Sequence, residues 1–593
     1  MHFSNKISLN PSSFLGRFLC IGTLLISILI LSGVSFAQEK GGQILQQLEK
    51  KEFVPKETPK PVIEKKEEKP IKVQEAIEGS KIFIKQINVQ GATLLNGQTI
   101  KDIIHTIIPS APLTENNNGF IINKELSFPE MYQIAEAMTE KYRDLGYIVA
   151  YAFVPQQEIK EGVLEIRVKE GKAGKITVTG NKSYSTSFIL KHIEKIKDDA
   201  SPKRDTLERS MLILNDYPSL NVKAQLKAGK EPGTTDINAE AKDSFPISGS
   251  LSYDNSGAST TSKNRLTASL NMGNLVTSGD LLMLRGLTGL DRIDTAKLSY
   301  GRADYVLPIN YIGTKAGVYY SNAVYKVGEQ FEVLEMNGKA DVVGVYITHP
   351  FIKRSDRTLE AKFGFDYKDI YDYMLGDVWT KTKTRVFNLG ATYDFTDSFY
   401  GRNVLNLAYY HGVRYLFGGS GQNDPDTSRL NGDGEFNKYT IDVTRAQKLP
   451  GYNHLMFKAS GQYSADNLFV VEQFMIGGAS GVRGFRPSSL SGDSGYLVSA
   501  ELHLSPIYPE KKIFSQKIGD TIKFVLFADN GGVYKNNALA GEDKDDYQTS
   551  LGVGLRLYYG KYLSAKVDWA VPDVEGKYET KNAETYFQIT LSF

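Results

Sequence analysis

The sequence predicts two architectures in one chain: an α+β N-terminal part, then an all-β, sixteen-stranded antiparallel transmembrane barrel from about residue 244. Three observations carry this. Helical periodicity ends near residue 243, and everything after it reads as strands. Those strands alternate polar and apolar residues over nine to eleven positions, the length a tilted membrane strand needs. Long polar connectors follow every second strand, while several of the others are tight turns, the asymmetry of outer-membrane barrels.

Composition agrees. The 593 residues include 34 Tyr, 29 Phe and 54 Gly but only 2 Trp and 1 Cys, a profile of β-structure with many turns. Lys plus Arg total 70 against 68 Asp plus Glu, a net charge of +2, which argues against a nucleic-acid binder. Hydrophobic residues make up 41%, so the chain is not globally disordered.

Residues 1–37 have the form of an export signal. Lys6 and Arg17 precede an apolar run at 18–34, and Ser35-Phe36-Ala37 offers a small-x-small cleavage site. A short membrane anchor is the alternative reading. Cys20 does not end the run, as a lipoprotein would require, and after cleavage the mature chain would hold no cysteine for disulfides or metal.

Residues 38–78 read as a helix and a linker. Ile44, Leu45 and Leu48 among Gln43, Gln46 and Gln47 predict a helix over 41–50 of about three turns, too short to be stable unless docked. Residues 51–70, with Pro55, Pro59, Pro61 and Pro70 amid Lys and Glu, read as an extended tether.

A β-α-α-β-β unit is then used twice, over 79–171 and 172–243. In the first, strands are predicted at 82–89, 148–154 and 163–168, and helices at 99–108 and 130–145. In the second, strands fall at 175–178, 221–226 and 235–239, and helices at 187–196 and 205–215. Gly180 and Asn181 mark the turn after its first strand.

In the barrel region, Leu359, Ala361, Phe363, Phe365 and Tyr367 alternate with polar residues over 358–368, and 550–559 and 563–569 do the same. The long connectors include 418–436, 466–494 and 530–546; 449–451 and 560–561 are tight turns. This places both chain ends, and the repeated units, on the short-turn side. Phe587, Ile589, Leu591 and Phe593 share one face of the last strand and read as a C-terminal barrel-assembly signal.

Local matches now point to a family. Tyr142-Arg-Asp-Leu-Gly-Tyr147 leads into Val154-Pro155-Gln156 and Gly162; Leu207-Glu-Arg209 runs through Leu212-Ile-Leu-Asn-Asp216 and Pro218 to Pro232-Gly233. Val482, Arg483, Gly484 and Phe485 lie in the connector between the eleventh and twelfth strands, and Phe527-Ala528-Asp529 lies on the next strand but one. In these the chain resembles the outer-membrane transporters of two-partner secretion, the haemolysin secretion-activation protein (TpsB) family, over essentially all of 38–593. The resemblance implies a plug helix, a linker, two periplasmic polypeptide-transport-associated (POTRA) domains and a sixteen-stranded barrel. It also implies that the Val482–Phe485 loop tip folds into the pore and that Arg483 pairs with the aspartate of the Phe-x-Asp motif, here Asp529. Parity supports this independently: Ile522, Phe524 and Leu526 face one way, and Lys523 and Asp529 the other. Glu501 and His503 share lumenal parity on the preceding strand, so Glu501 is a second candidate partner. Lys362, Asp366, Lys566 and Asp568 read as a solvated pore wall.

Other motifs fail. Residues 424–435 have the length of a calcium loop, but Arg429 stands where the turn needs glycine and no helices flank it; it reads as an exposed acidic loop. No nucleotide fingerprint or metalloprotease pattern is present, and no metal, cofactor or enzyme activity is expected. The resemblance implies a large, β-helical secreted partner protein, with outer-membrane lipid, the barrel assembly machinery and periplasmic chaperones as further partners and no nucleic acid. An outer-membrane protein insertase is the second reading and a passive porin the third. Insertases usually carry more POTRA units than 79–243 has room for.

Overall fold

The computed structural model describes residues 41–49, 63–65, 81–109, 113–116, 119–199, 201–231, 233–291, 298–513, 516–539, 541–573 and 582–593; the export-signal reading at 1–37 and most of the tether lie outside them. A helix α1 (Gly41–Glu49) and a short strand β1 (Ile63–Lys65) come before two α+β units. The first contains β2 (Lys81–Gln90), α2 (Gly97–Ile107), β3 (Thr114–Asn116), β4 (Gly119–Ser127), α3 (Phe128–Asp144), β5 (Tyr151–Phe153) and β6 (Val163–Lys169). Its helices start where side chains satisfy free amides: Asn96 caps α2, and Ser127 with Glu130 forms a reciprocal capping box on α3. Tyr142 is buried and donates to Glu170 at 2.9 Å, while Gly146 (φ +88°) turns the chain out of α3.

The first unit departs from the predicted pattern in two places. A hairpin of β3 and β4 stands between the helices and puts β4 beside β2 in the sheet order β3-β4-β2-β6-β5. Phe120, Ile122 and Leu126 of β4 are buried, but Asn123 at φ +43° breaks the alternation that would have revealed the strand. The strand expected over 148–154 shrinks to β5, because its start turns to the second unit: Ile148 N–H donates to Pro202 O at 3.3 Å and Arg204 N–H to Gly146 O at 2.8 Å.

The second unit contains β7 (Lys172–Thr179), α4 (Thr186–Ile193), α5 (Arg204–Leu214), β8 (Leu220–Ala228) and β9 (Thr234–Asp243). Asn215 accepts from Val222 N–H at 2.6 Å and donates to Val222 O at 3.2 Å, which fixes the α5–β8 turn. The sheet order is β1-β8-β9-β7, so β1 lies parallel on the β8 edge, with Ile63 opposite Ala224 and Lys65 opposite Leu226.

Sixteen antiparallel strands then close a barrel, from strand 1 (Ile247–Asp254) to strand 16 (Glu584–Ser592), whose edges pair from Ser250 with Ser592 to Asp254 with Gln588. Exposed Val318, Phe363, Leu389, Leu526 and Leu551 form part of an outward apolar band. Ile589, Leu591 and Phe593 also point outward, and Phe587 is half-buried against Tyr253.

The connector asymmetry has two exceptions. Strands 7 (Arg357–Met374) and 8 (Asp377–Thr396), of 18 and 20 residues, meet in a two-residue turn at the long-loop end, with Leu375 and Gly376 both at positive φ. At the other end, 505–521 is a long connector with its own two-stranded pairing and a helical turn. Residues 424–435 are an exposed acidic loop only in part: Asp426, Leu430 and Glu435 are exposed, but Thr427, Ser428 and Asp433 are buried, Ser428 N–H donates to Thr382 Oγ1 at 2.8 Å, and Arg414 grips Asp433 at 2.7 Å. Asp433 and Glu435 both pair with Arg414, so this part of the segment is held against the barrel.

The second unit docks on the short turns. Arg209 of α5 donates to the carbonyls of Ile312, Pro350 and Phe351, Lys353 pairs with Asp216 at 2.7 Å, and Ser355 N–H donates to Glu208 at 2.9 Å. Tyr311 packs on His192, ring centroids 5.1 Å apart. His192 is buried, with Nδ1 2.8 Å from Phe188 O and Nε2 2.9 Å from the Tyr217 hydroxyl, and burial pushes its pKa down to about 4. The unfolded chain takes up a proton near pH 6.5 while the folded one resists it until about 4. Stability is therefore full above pH 6.5 and falls as pH drops toward 4, by about 3 kcal/mol in total. Hydrogen exchange of peptides over 186–217, corrected for the intrinsic rate, should show this loss, and His192→Gln should remove it.

Candidate functional site in the barrel lumen

The connector 464–493 between strand 11 (His454–Tyr463) and strand 12 (Ser494–Leu504) folds back into the lumen. Its reversal depends on glycine: Gly477, Gly478 and Gly484 have φ of +99°, +82° and +94°, and a Cβ at Gly484 would press on Pro572 at 3.2 Å. Ile476, Val482, Phe485 and Leu490 pack against Leu497 and Val533 of the wall. Gly484 N–H donates to the Tyr586 hydroxyl at 3.0 Å, which donates on to Phe485 O at 3.2 Å.

This holds the Arg483 guanidinium over the Phe527 ring, 3.5 Å from its centroid. Nε and NH2 each donate to Asp529 at 2.7 Å, a bidentate pair on strand 13 (Ile522–Tyr534). NH1 donates to Glu501 at 2.8 Å and lies 3.5 Å from Asp568. The side chain of Arg483 is 6% exposed and that of Asp529 0%. Glu501 also meets His503 Nε2 at 2.9 Å, and Ser499 donates to Asp529 at 2.7 Å.

Sequence reasoning brought together Arg483, Phe527, Asp529 and Glu501, but missed the rest of the cluster. Asp568 is not solvated wall: it is buried and paired with Arg556, whose NH2 donates to it at 3.1 Å. Ser499, Arg556, Asp568 and Tyr586 share lumenal parity on the flanking strands, which was the available signal.

A second anchor ties the root of the same connector. Glu472, 1% exposed, is held by Lys368 and Lys438 at 2.7 Å each, from strands 7 and 10 (Phe436–Lys448). Nothing in the local sequence marks Glu472 as buried.

Helix α1 fills the space between this root and the opposite wall. Ile44, Leu45 and Leu48 pack on Leu298, Tyr319, Ala323, Tyr325 and Val342 of the wall and on Phe469 and Val471 of the connector. Gln46 donates to the carbonyls of Val471 and Gln473. Gly41 N–H donates to Asp372 at 3.0 Å, a carboxylate at the positive helix end. At the other end Glu49 accepts from Ser321 at 2.9 Å and pairs with Arg302 at 3.2 Å.

Comparison with known proteins fits this arrangement. Residues 233–557 match the family described as haemolysin secretion/activation protein ShlB/FhaC/HecB, and residues 82–171 match the POTRA domain, ShlB-type. The chain is 27% identical over 463 residues to the heme/hemopexin transporter protein HuxB of Haemophilus influenzae, covering 76% of this chain and 79% of that one. It is 24% identical to the outer membrane transporter CdiB of Dickeya dadantii, covering 79% of each. Among solved structures, CdiB from Escherichia coli superposes with a TM-score of 0.68 at 21% identity, covering 88% of this chain and 92% of that one. BamA from Haemophilus ducreyi lacking POTRA domains 1–3 gives 0.51 at 13%, covering 87% and 100%, a likeness of fold alone. Family members are transporters, not enzymes. The chain belongs to the haemolysin secretion/activation protein family, the outer-membrane translocators of two-partner secretion.

Proposed function

We propose that α1 and the inward connector 464–493 close the barrel at rest, and that a β-helical secreted partner displaces them as it crosses. The observation that supports this is the position of α1: inside the lumen, keyed to the connector by Gln46 and to the wall by Glu49. The partner arrives unfolded, held by periplasmic chaperones, and adds a strand to a free sheet edge of the POTRA-like units, where main-chain pairing demands little sequence. It then passes as an extended or hairpin chain and folds outside from stacked units, which drives transport. The last strand, with Phe587, Ile589, Leu591 and Phe593, is the signal read by the barrel assembly machinery. Arg483 and its carboxylates hold the connector tip in the resting position.

Deleting this chain and comparing the proteins of the medium and of the outer membrane tests the reading. Loss of one large secreted protein, with other barrels unchanged, is the expected result. A broad fall in barrel proteins would instead make the chain an insertase.

The β8 edge is not free, because β1 covers it. Ile63 packs on the core of the second unit and so helps to seat β1. Ile63→Asp is expected to release this three-residue strand and speed amide exchange in β8 about tenfold. Unchanged exchange there would mean that main-chain pairing alone holds β1.

A further inference from the structure

The outward face of strands 6 (Asn337–Lys353), 7 and 8 is zoned in rows by the strand register. Nearest the α+β units the rows are apolar: Ile347, Phe363 and Leu389 lie side by side, then Val345, Phe365 and Phe387. Next come Val343, Tyr367 and Arg385, and then two charged rows: Asp341, Asp369 and Lys383, followed by Lys339, Tyr371 and Lys381. The charged rows therefore begin where the apolar band ends, on the side away from the periplasmic units. In an outer-membrane barrel, that is the headgroup level of the outer leaflet.

Three ammonium groups converge there. Lys339, Lys381 and Lys383 place Nζ 5.3, 5.9 and 5.9 Å from the centroid of the Tyr371 ring. Any two therefore lie within about 12 Å of each other, where repulsion is only partly screened. Of the two carboxylates in these rows, Asp341 is engaged elsewhere and Asp369 reaches only one of the three lysines. Asp341 accepts from the Tyr320 hydroxyl at 2.7 Å and Asn322 at 2.8 Å. Asp369 is shared between Lys383 at 3.4 Å and Arg385 at 2.8 Å. Arg385 is itself fully covered, lying 3.4 Å over the Tyr367 ring and donating to Phe417 O at 3.1 Å. Among the described residues, the ammonium groups of Lys339 and Lys381 have only the Tyr371 ring beside them, and both residues are exposed. A like-charge cluster of this kind, above an apolar and aromatic wall, matches a ligand with phosphate above acyl chains.

We infer that Lys339, Lys381 and Lys383, arranged around Tyr371, bind the phosphorylated sugar headgroup of the outer-leaflet glycolipid, whose acyl chains lie along Phe363, Phe365 and Phe387. The ammonium groups are point-charge phosphate ligands, gathered by the Tyr371 ring that lies among them. The inference rests on the outer-membrane placement of the barrel and is independent of export.

The test titrates the purified full-length protein in non-ionic detergent with bisphosphorylated lipid A and with its fully dephosphorylated form, read by native mass spectrometry. Wild type should bind the phosphorylated form roughly a hundredfold more tightly. The triple variant Lys339→Ala, Lys381→Ala, Lys383→Ala should lose that difference, and the triple change to Arg should keep it. Heat-dependent gel migration reports barrel closure separately, so a misplaced or unfolded barrel is told apart from a lost site. Lys339→Gln alone, an exposed change, should weaken binding about fivefold. Equal binding of the two lipids, undiminished binding by the alanine variant, or complete displacement by millimolar inorganic phosphate would overturn the assignment.

Discussion

Arg483→Ala is expected to abolish export while leaving the barrel closed and in the outer membrane. The guanidinium makes five side-chain hydrogen bonds within the cluster: two to Asp529 and one each to Glu501, Ser499 and Asp568, the last a long one at 3.5 Å. Removing it strands a fully covered carboxylate, at a cost on the order of 3–5 kcal/mol. The connector tip then keeps its apolar packing, the main-chain bond from position 483 to Asp529 and the two bonds to Tyr586, but loses its ionic anchor, which weakens its resting position. Barrel closure does not depend on Arg483, because the edges of strands 1 and 16 pair through main chain. Secreted protein in the medium and heat-dependent migration of the barrel measure the two effects separately. Normal export from this variant would remove the central assignment.

Asp529→Ala should be milder, reducing export several-fold. Arg483 then retains Glu501 at 2.8 Å and Asp568 at 3.5 Å, so its charge is still compensated. Arg483→Lys should fall nearer to alanine than to wild type. An ammonium cannot make the two parallel bonds to Asp529 and also reach Glu501.

The barrel was legible because lipid on one side and lumen on the other impose a period of two on every strand, as 358–368 and 550–559 display. Parity tells which side a residue faces, not what else occupies that side. Asp568 and Lys566 are equivalent in sequence, yet Asp568 is buried beneath Arg483 because a distant connector comes down onto it. Glu472 and residues 424–435 were misjudged or missed for the same reason: long polar segments look solvated until the lumen receives them. Strand β4 was hidden by one left-handed residue, Asn123. For α1, the apolar spacing of Ile44, Leu45 and Leu48 required a docking surface, but the surface is assembled from strands and a connector hundreds of residues away.

Deleting residues 38–60 is expected to raise the single-channel conductance of the barrel in planar bilayers, and unchanged conductance would refute the plug. The buried side chains of Ile44, Leu45 and Leu48 each contribute about 1.5–3 kcal/mol to seating the helix, all of which the deletion removes. A point change separates helix seating from loss of the tether. The Cα of Gly42 faces the connector so closely that a Cβ would come within 2.7 Å of Val471 N and 2.8 Å of its Cα. Both are backbone atoms of a segment fixed by the neighbouring Glu472 ion pairs, so they cannot yield easily. Gly42→Val should therefore destabilise the seated helix by about 1–3 kcal/mol, enough to raise the open fraction roughly tenfold. Glu49→Gln should act in the same direction but less, because it loses the Arg302 charge pair while Arg302 keeps Asp304 at 2.8 Å. If Gly42→Val left conductance unchanged while the full deletion raised it, the closing element would be the tether and not the helix.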